Sequence, residues 1–243
     1  MVFFEENYYK NMKTIIINFS IVLASMFFFS CRGGEVLETI SESEAAEVIG
    51  NAISAETEGL TEQVEDAADI AAAYLDSCGT VYDSLINKTQ GQGIRTYDYT
   101  LSWSWQMTCN SLSIPQTLSM SYTSDGLYDT PRMSSQDQSN GNFTVSGLEI
   151  LAAEYVFNGA VSRSGSQVSK LGNQNSFTSQ VQMNMQNVAY HKNDLEVSSG
   201  SADVTISGTD SNGNSFSFSG DIVFNGGKTA TLTINGTAYP IQW

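Results

Sequence analysis

Tyr97-Asp98-Tyr99-Thr100-Leu101-Ser102-Trp103-Ser104-Trp105-Gln106-Met107-Thr108-Cys109 alternates without a break between two kinds of side chain. Tyr97, Tyr99, Leu101, Trp103, Trp105, Met107 and Cys109 fall on one side, with Asp, Thr, Ser and Gln between them. A repeat of two places successive side chains on opposite faces, so this stretch is expected to be a half-buried β-strand with one aromatic face.

The same period recurs towards the C-terminus. Leu118/Met120/Tyr122, Val181/Met183/Met185, Ala202/Val204/Ile206, Phe216/Phe218, Ile222/Phe224, Ala230/Leu232/Ile234 and Tyr239/Ile241/Trp243 are further strand candidates. Asn140-Gly141, Asn158-Gly159, Asn212-Gly213, Asn225-Gly226 and Asn235-Gly236 punctuate them, and Asn-Gly supplies the positive φ angles of tight hairpins. Successive hairpins imply an antiparallel meander with one wet and one apolar face. Thr123–Asn142 and Ser164–Asn175, rich in Ser, Gln, Asn and Gly, are expected to be loops.

On the N-terminal side the period changes. Ser41-Glu42-Ser43-Glu44 has the form of a capping box, with Val48, Ile49, Ala52 and Ile53 following at helical spacing. Leu60, Val64, Ala67, Ala71, Tyr74, Cys78, Val81 and Leu85 then recur every three or four residues, which predicts a second amphipathic helix, with Gly79 bending or interrupting it. The expected fold class is α+β: N-terminal amphipathic helices packed on an antiparallel β-meander, as a curved sheet or half-barrel. The expected divisions are a signal segment over 1–30, an acidic helical segment over 31–90, and a β domain over 91–243 that forms one globular unit with the second helix.

Charge separates these parts. The 243 residues carry 10 Lys+Arg against 26 Asp+Glu, a formal net charge of −16. Phosphate binding needs clustered Lys and Arg, so no nucleic-acid partner is expected. Thirteen acidic residues lie between Arg32 and Lys88, a stretch with no other cation. Glu62, Glu65, Asp66, Asp69, Asp76 and Asp83 fall away from the apolar stripe, as a solvated helix face or as a docking face for a cation or basic partner.

Catalytic chemistry is scarce in this chain. His191, in Tyr190-His191-Lys192-Asn193-Asp194, is the only histidine, and no Gly-x-Ser-x-Gly elbow, Ser-x-x-Lys pair or phosphate-binding glycine loop occurs. No catalytic residue, cofactor or metal site is assigned, and the chain is expected not to be an enzyme. Asp210-Ser211-Asn212-Gly213-Asn214, with Asp221 beyond it, has some calcium-loop features, but its glycine is misplaced and a hairpin turn explains it better. The aromatic strand supplies the candidate ligand-facing residues Tyr97, Tyr99, Trp103 and Trp105. They suit a sheet core, the wall of a lipid cleft, or a sugar-stacking platform.

The address lies at the start of the chain. Lys13 precedes an uncharged run from Thr14 to Phe29, shorter than the roughly 20 residues that span a bilayer, and Ser30-Cys31 closes it. Met12-Lys13 makes a cleaner start than Met1, because Glu5 and Glu6 sit badly before a signal. Phe28-Phe29-Ser30-Cys31 resembles the lipobox of bacterial lipoproteins, with Phe28 where Leu is usual, and the Ser-, Asn- and Thr-rich remainder is similar in style to lipoproteins of the Bacteroidota. The resemblance implies cleavage before Cys31, acylation of its thiol, and a membrane partner reached through that lipid anchor. Arg32 after the cysteine implies the outer membrane, on its periplasmic side or at the cell surface.

With Cys31 acylated, Cys78 and Cys109 remain as a disulfide pair or as two free thiols. Asp83-Ser84-Leu85 is similar to a short O-glycosylation acceptor motif of that group. The expected role is a cell-envelope lipoprotein that binds or scaffolds a glycan, lipid or envelope protein. A carrier of lipid or another hydrophobic ligand, with a helix-covered half-barrel, is the alternative.

Overall fold

The computed structural model describes residues 40–171 and 174–243. All of these residues belong to one compact unit. The signal segment, Met12 and Cys31 lie outside the described residues.

Ser41 caps helix α1 (Glu42–Ile53), its hydroxyl accepting from the Glu44 amide while Glu44 reaches back to the Ser41 amide. This reciprocal bonding satisfies two of the donors that a helix start leaves free. A 3-10 turn (Ala55–Thr57) leads to helix α2 (Leu60–Ala73). Ten strands follow: β1 (Val81–Gln90), β2 (Thr96–Cys109), β3 (Pro115–Asp129), β4 (Met133–Ser146), β5 (Glu154–Ser169), β6 (Ser176–His191), β7 (Glu196–Asp210), β8 (Ser215–Gly226), β9 (Thr229–Ile234) and β10 (Thr237–Gln242). Each pairs antiparallel with the next, in one sheet whose spatial order is the chain order.

This corrects the expected α+β class. Among the described residues the fold is one open antiparallel sheet of ten strands, accompanied by two short helices of 12 and 14 residues. The second helix ends at Ala73 rather than continuing to Leu85. Gly79, at φ +77°, turns the chain, and Val81 and Leu85 become outward positions of β1, 57% and 68% exposed. Tyr82 and Ile86 take the inward positions, so two apolar residues in helical register with α2 belong to the first strand instead. β1 therefore lies inside the 31–90 segment that was expected to be helical.

Two expected loops are also strands. Thr123–Asn142 supplies the second half of β3 and most of β4, and Ser164–Ser169 completes β5. Asn140-Gly141 is not a turn but lies in the middle of β4, opposite Thr123 and Tyr122. A Cβ on Gly141 would lie 2.3 Å from Tyr122 Cε1, so the glycine makes room for that ring. Asn158-Gly159 falls at a β-bulge in β5, where the pairing with β6 shifts. Asn235-Gly236 does form a hairpin turn, with φ of 49° and 84°.

Ten flat strands would span about 43 Å at the usual strand spacing. Yet α1, about 18 Å long, bonds Tyr239 of β10 through Glu42, while Glu56 just beyond its end pairs with Arg95 in the β1–β2 connection. The sheet is therefore curled, bringing the two ends of the meander to the same helical segment. Ile49, Ile53, Leu60, Val64, Ala67 and Ala71 share one apolar cluster with the inward side chains of the strands.

Candidate functional site

Three of the four candidate ligand-facing residues are buried in that cluster. Tyr99, Trp103 and Trp105 are 1%, 1% and 4% exposed, while Tyr97 is half-buried. Trp103 packs against Tyr122 and Phe143, and Trp105 against Tyr74 and Tyr82. Tyr122 donates to the Gln63 side chain of α2. The aromatic face is thus occupied by the protein's own rings and helical side chains, and presents no platform for sugar stacking. Both indole Nε1 atoms are buried without a hydrogen-bond partner.

Towards the end of the sheet that carries the β1–β2, β3–β4 and β5–β6 connections, the inward face becomes polar. Ser124, Ser135, Asp137, Ser139, Arg163, Gln167 and Ser179 are all buried. Arg163 Nε donates to Asp137 Oδ1 at 2.9 Å, and Tyr99 donates to the same oxygen at 2.9 Å. The remaining guanidinium nitrogens donate to the carbonyls of Asn51 at 3.2 Å and Thr57 at 3.0 Å. The network therefore fastens the end of α1 and the 3-10 turn after it to β2, β4 and β5. Burial raises the Tyr99 hydroxyl well above its ordinary value, keeping it neutral and a donor.

Beside it, Lys88 of β1 donates to Glu62 at 2.6 Å and Asp66 at 2.7 Å, and lies 3.8 Å from Glu58. Burial is the largest influence on Lys88 and acts to lower its pKa, but the hydrogen bonds to Asp66 and Glu62 and the nearby charges of Glu58 and Asp66 together outweigh it and the net shift is upward. Both carboxyl oxygens of Glu58 are buried without a hydrogen-bond partner. Burial pushes its pKa up to about 8, with Glu62 and Asp66 adding to the rise and Lys88 opposing it. Lys88 already fills the centre of this acidic group, and among the described residues no set of His, Cys, Asp or Glu has the geometry to hold a metal ion.

An open cleft of about 340 Å³ lies between α1, the β1–β2 and β3–β4 connections and β10. Glu47, Asn51, Arg95, Arg132 and Tyr239 are among its lining. Arg132 is paired with Glu47 at 2.7 Å, and Arg95 with Glu56. The cleft offers hydrogen-bonding groups whose charges are already matched, which suits recognition of a polar surface rather than capture of a strong anion.

The outward face has a different chemistry. Ser102, Thr123, Asn140, Ser162, Gln182, Thr205 and Ser219 form one register row across β2 to β8. Thr100, Asp125, Gln138, Ser164, Gln180, Ser207 and Ser217 form the next. Hydroxyls and carboxamides dominate both rows, and neither contains Lys or Arg. Alternation marks these residues as outward, but only the sheet's register shows that they form a lattice.

The other sequence candidates are dispersed. Cys78 and Cys109 are joined as a disulfide, Cα to Cα 5.6 Å, tying the chain after α2 to the end of β2. His191 Nδ1 lies 2.8 Å from the Asp194 carboxylate and accepts from the Asp194 amide, both within one turn. Asp210 accepts from the amides of Asn212 and Asn214 and from the Asn214 side chain, which closes the β7–β8 turn. Asp83 and Leu85 are exposed on β1, with Ser84 half-buried between them. Comparison with known proteins gives no match: no family model, no curated protein and no solved structure is similar to this chain.

Proposed function

We propose that this chain is a cell-envelope lipoprotein, acylated at Cys31, whose β domain binds or scaffolds a polar partner without catalysis. The observation that carries the proposal is the order Lys13, an uncharged apolar run, then Ser30-Cys31. The disulfide between Cys78 and Cys109 suits an oxidising envelope. The filled aromatic core favours this role over a lipid carrier, because the face that would wall an acyl cavity is taken up by Tyr74, Tyr82, Tyr122 and Phe143. His191 engages Asp194 in its own turn, an arrangement that suits a structural side chain. The hydroxyl- and carboxamide-rich outward face and the charge-matched cleft beside α1 are the surfaces offered to a polar partner such as a glycan or an envelope protein.

Fractionation of cells expressing the full chain and its Cys31→Ser variant tests the anchor. The native chain is expected in the outer-membrane fraction, and the variant either unprocessed or released from that fraction. A Cys31→Ser chain that is processed and membrane-bound like the native one contradicts the proposal.

A further inference from the structure

One rim of the sheet carries exposed aliphatic side chains on three neighbouring connections. Leu112 and Ile114 lie between β2 and β3, Ile150 and Leu151 between β4 and β5, and Leu195 between β6 and β7. Ile150 and Leu151 are 93% and 96% exposed, so they protrude from the body rather than cover it. These connections are two strands apart, about 10 Å at the usual strand spacing, and form a row along the rim. α1 starts at the opposite end, where Glu44 bonds Asn175 and Glu42 bonds Asn235.

The tips are held in place. Lys192 donates to the carbonyls of Gly147 at 2.7 Å and Glu149 at 3.2 Å, and its ammonium lies 4.2 Å from the Tyr155 ring centre. The Lys192 amide also bonds the Ala153 carbonyl, so the second and third connections form one unit. In the first, Asn110 accepts from the amides of Leu112 and Ile114. Little ordering entropy remains to be lost when such tips are buried.

We propose that this rim inserts Leu112, Ile150, Leu151 and Leu195 into the interfacial layer of a lipid bilayer. Separate protruding points match a surface that flows around them better than they match a rigid protein groove. All are aliphatic, without the Trp, Tyr or Arg that anchor protein interfaces. The first connection is uncharged and Lys192 is engaged inward, leaving Glu149 and Asp194 as the outward charges on an otherwise strongly acidic chain. This contact needs no acyl group on Cys31.

The test uses Arg32–Trp243, which contains the whole compact unit and lacks Cys31, with vesicles of phosphatidylcholine and phosphatidylethanolamine. The chain is expected to sediment with the vesicles, and Ile150→Asp/Leu151→Asp to lower its partition coefficient by about tenfold or more. Ser211→Asp, on the opposite rim, controls for added charge and is expected to change nothing. Leu151→Trp is expected to shift its emission to the blue on vesicles and to be quenched by brominated lipid. Equal partition of native and double-variant chains, or no partition at any lipid concentration, overturns the proposal. Self-association without lipid that the double variant abolishes also overturns it, assigning the rim to a second copy of the chain. Because no acyl group is present, failure here leaves the Cys31 proposal standing.

Discussion

Arg163 of β5 and Asp137 of β4 form an ion pair, Nε to Oδ1 2.9 Å, with side chains only 7% and 1% exposed. The remaining guanidinium donors hold the carbonyls of Asn51 and Thr57, so the pair joins the sheet to the helical segment. Arg163→Met leaves the Asp137 carboxylate buried without its partner, and a loss of about 3–5 kcal/mol is expected. Arg163→Met combined with Asp137→Leu is expected to recover part of that loss. Urea unfolding of the two variants measures the difference, and an uncombined Arg163→Met as stable as the native chain would refute the clamp.

Gly141 gives the Tyr122 ring its space. Gly141→Ala places a methyl against that ring and is expected to destabilise by about 1–3 kcal/mol. Adding Tyr122→Leu should make the same Gly141→Ala change nearly neutral, and thermal melts of the four chains check the coupling.

Glu58 makes stability fall as pH rises. Its carboxyl titrates at about 8 in the folded chain against an ordinary value of 4.5, with burial as the main cause. Between those values the folded state holds the proton that the unfolded state has lost. The contribution is therefore fully present below the unfolded value and disappears as pH rises through about 8. The slope reaches about 1.4 kcal/mol per pH unit for one proton. Glu58→Gln is expected to flatten this part of the stability–pH curve. An unchanged slope in the variant would place the titrating group elsewhere.

The disulfide closes a sequence separation of 31 residues. Replacing Cys78 and Cys109 together by Ala is expected to cost roughly 3–4 kcal/mol by the chain-entropy estimate. The midpoint in guanidinium, compared with that of the native chain with its disulfide intact, measures it.

The legible parts of the fold are those where hydrophobicity and burial coincide. Tyr97–Cys109 reads as a strand and falls within β2, and the Ser41 capping box marks the start of α1. β4 was hidden because its inward row from Ser135 through Asp137 and Ser139 to Gly141 is small or polar. Such a row pairs with Arg163 and makes room for the Tyr122 ring of β3, neither of which an apolar period can reveal. The start of β1 was hidden for the opposite reason: Val81 and Leu85 are apolar but face outward. The candidate site divides in the same way. The aromatic residues were recognisable as a set, but their enclosure depends on Gln63, Tyr74 and Tyr82. The Arg163 network and the cleft beside α1 were not legible, because each joins residues far apart in the chain through backbone carbonyls and connections.

The mass of the N-terminal peptide of the mature chain from a bacterial envelope tests the central proposal most directly. A peptide that begins at Cys31 and carries the mass of a diacylglyceryl group is the result predicted. A mature chain that retains residues 12–30, or that begins elsewhere with an unmodified Cys31, would contradict it.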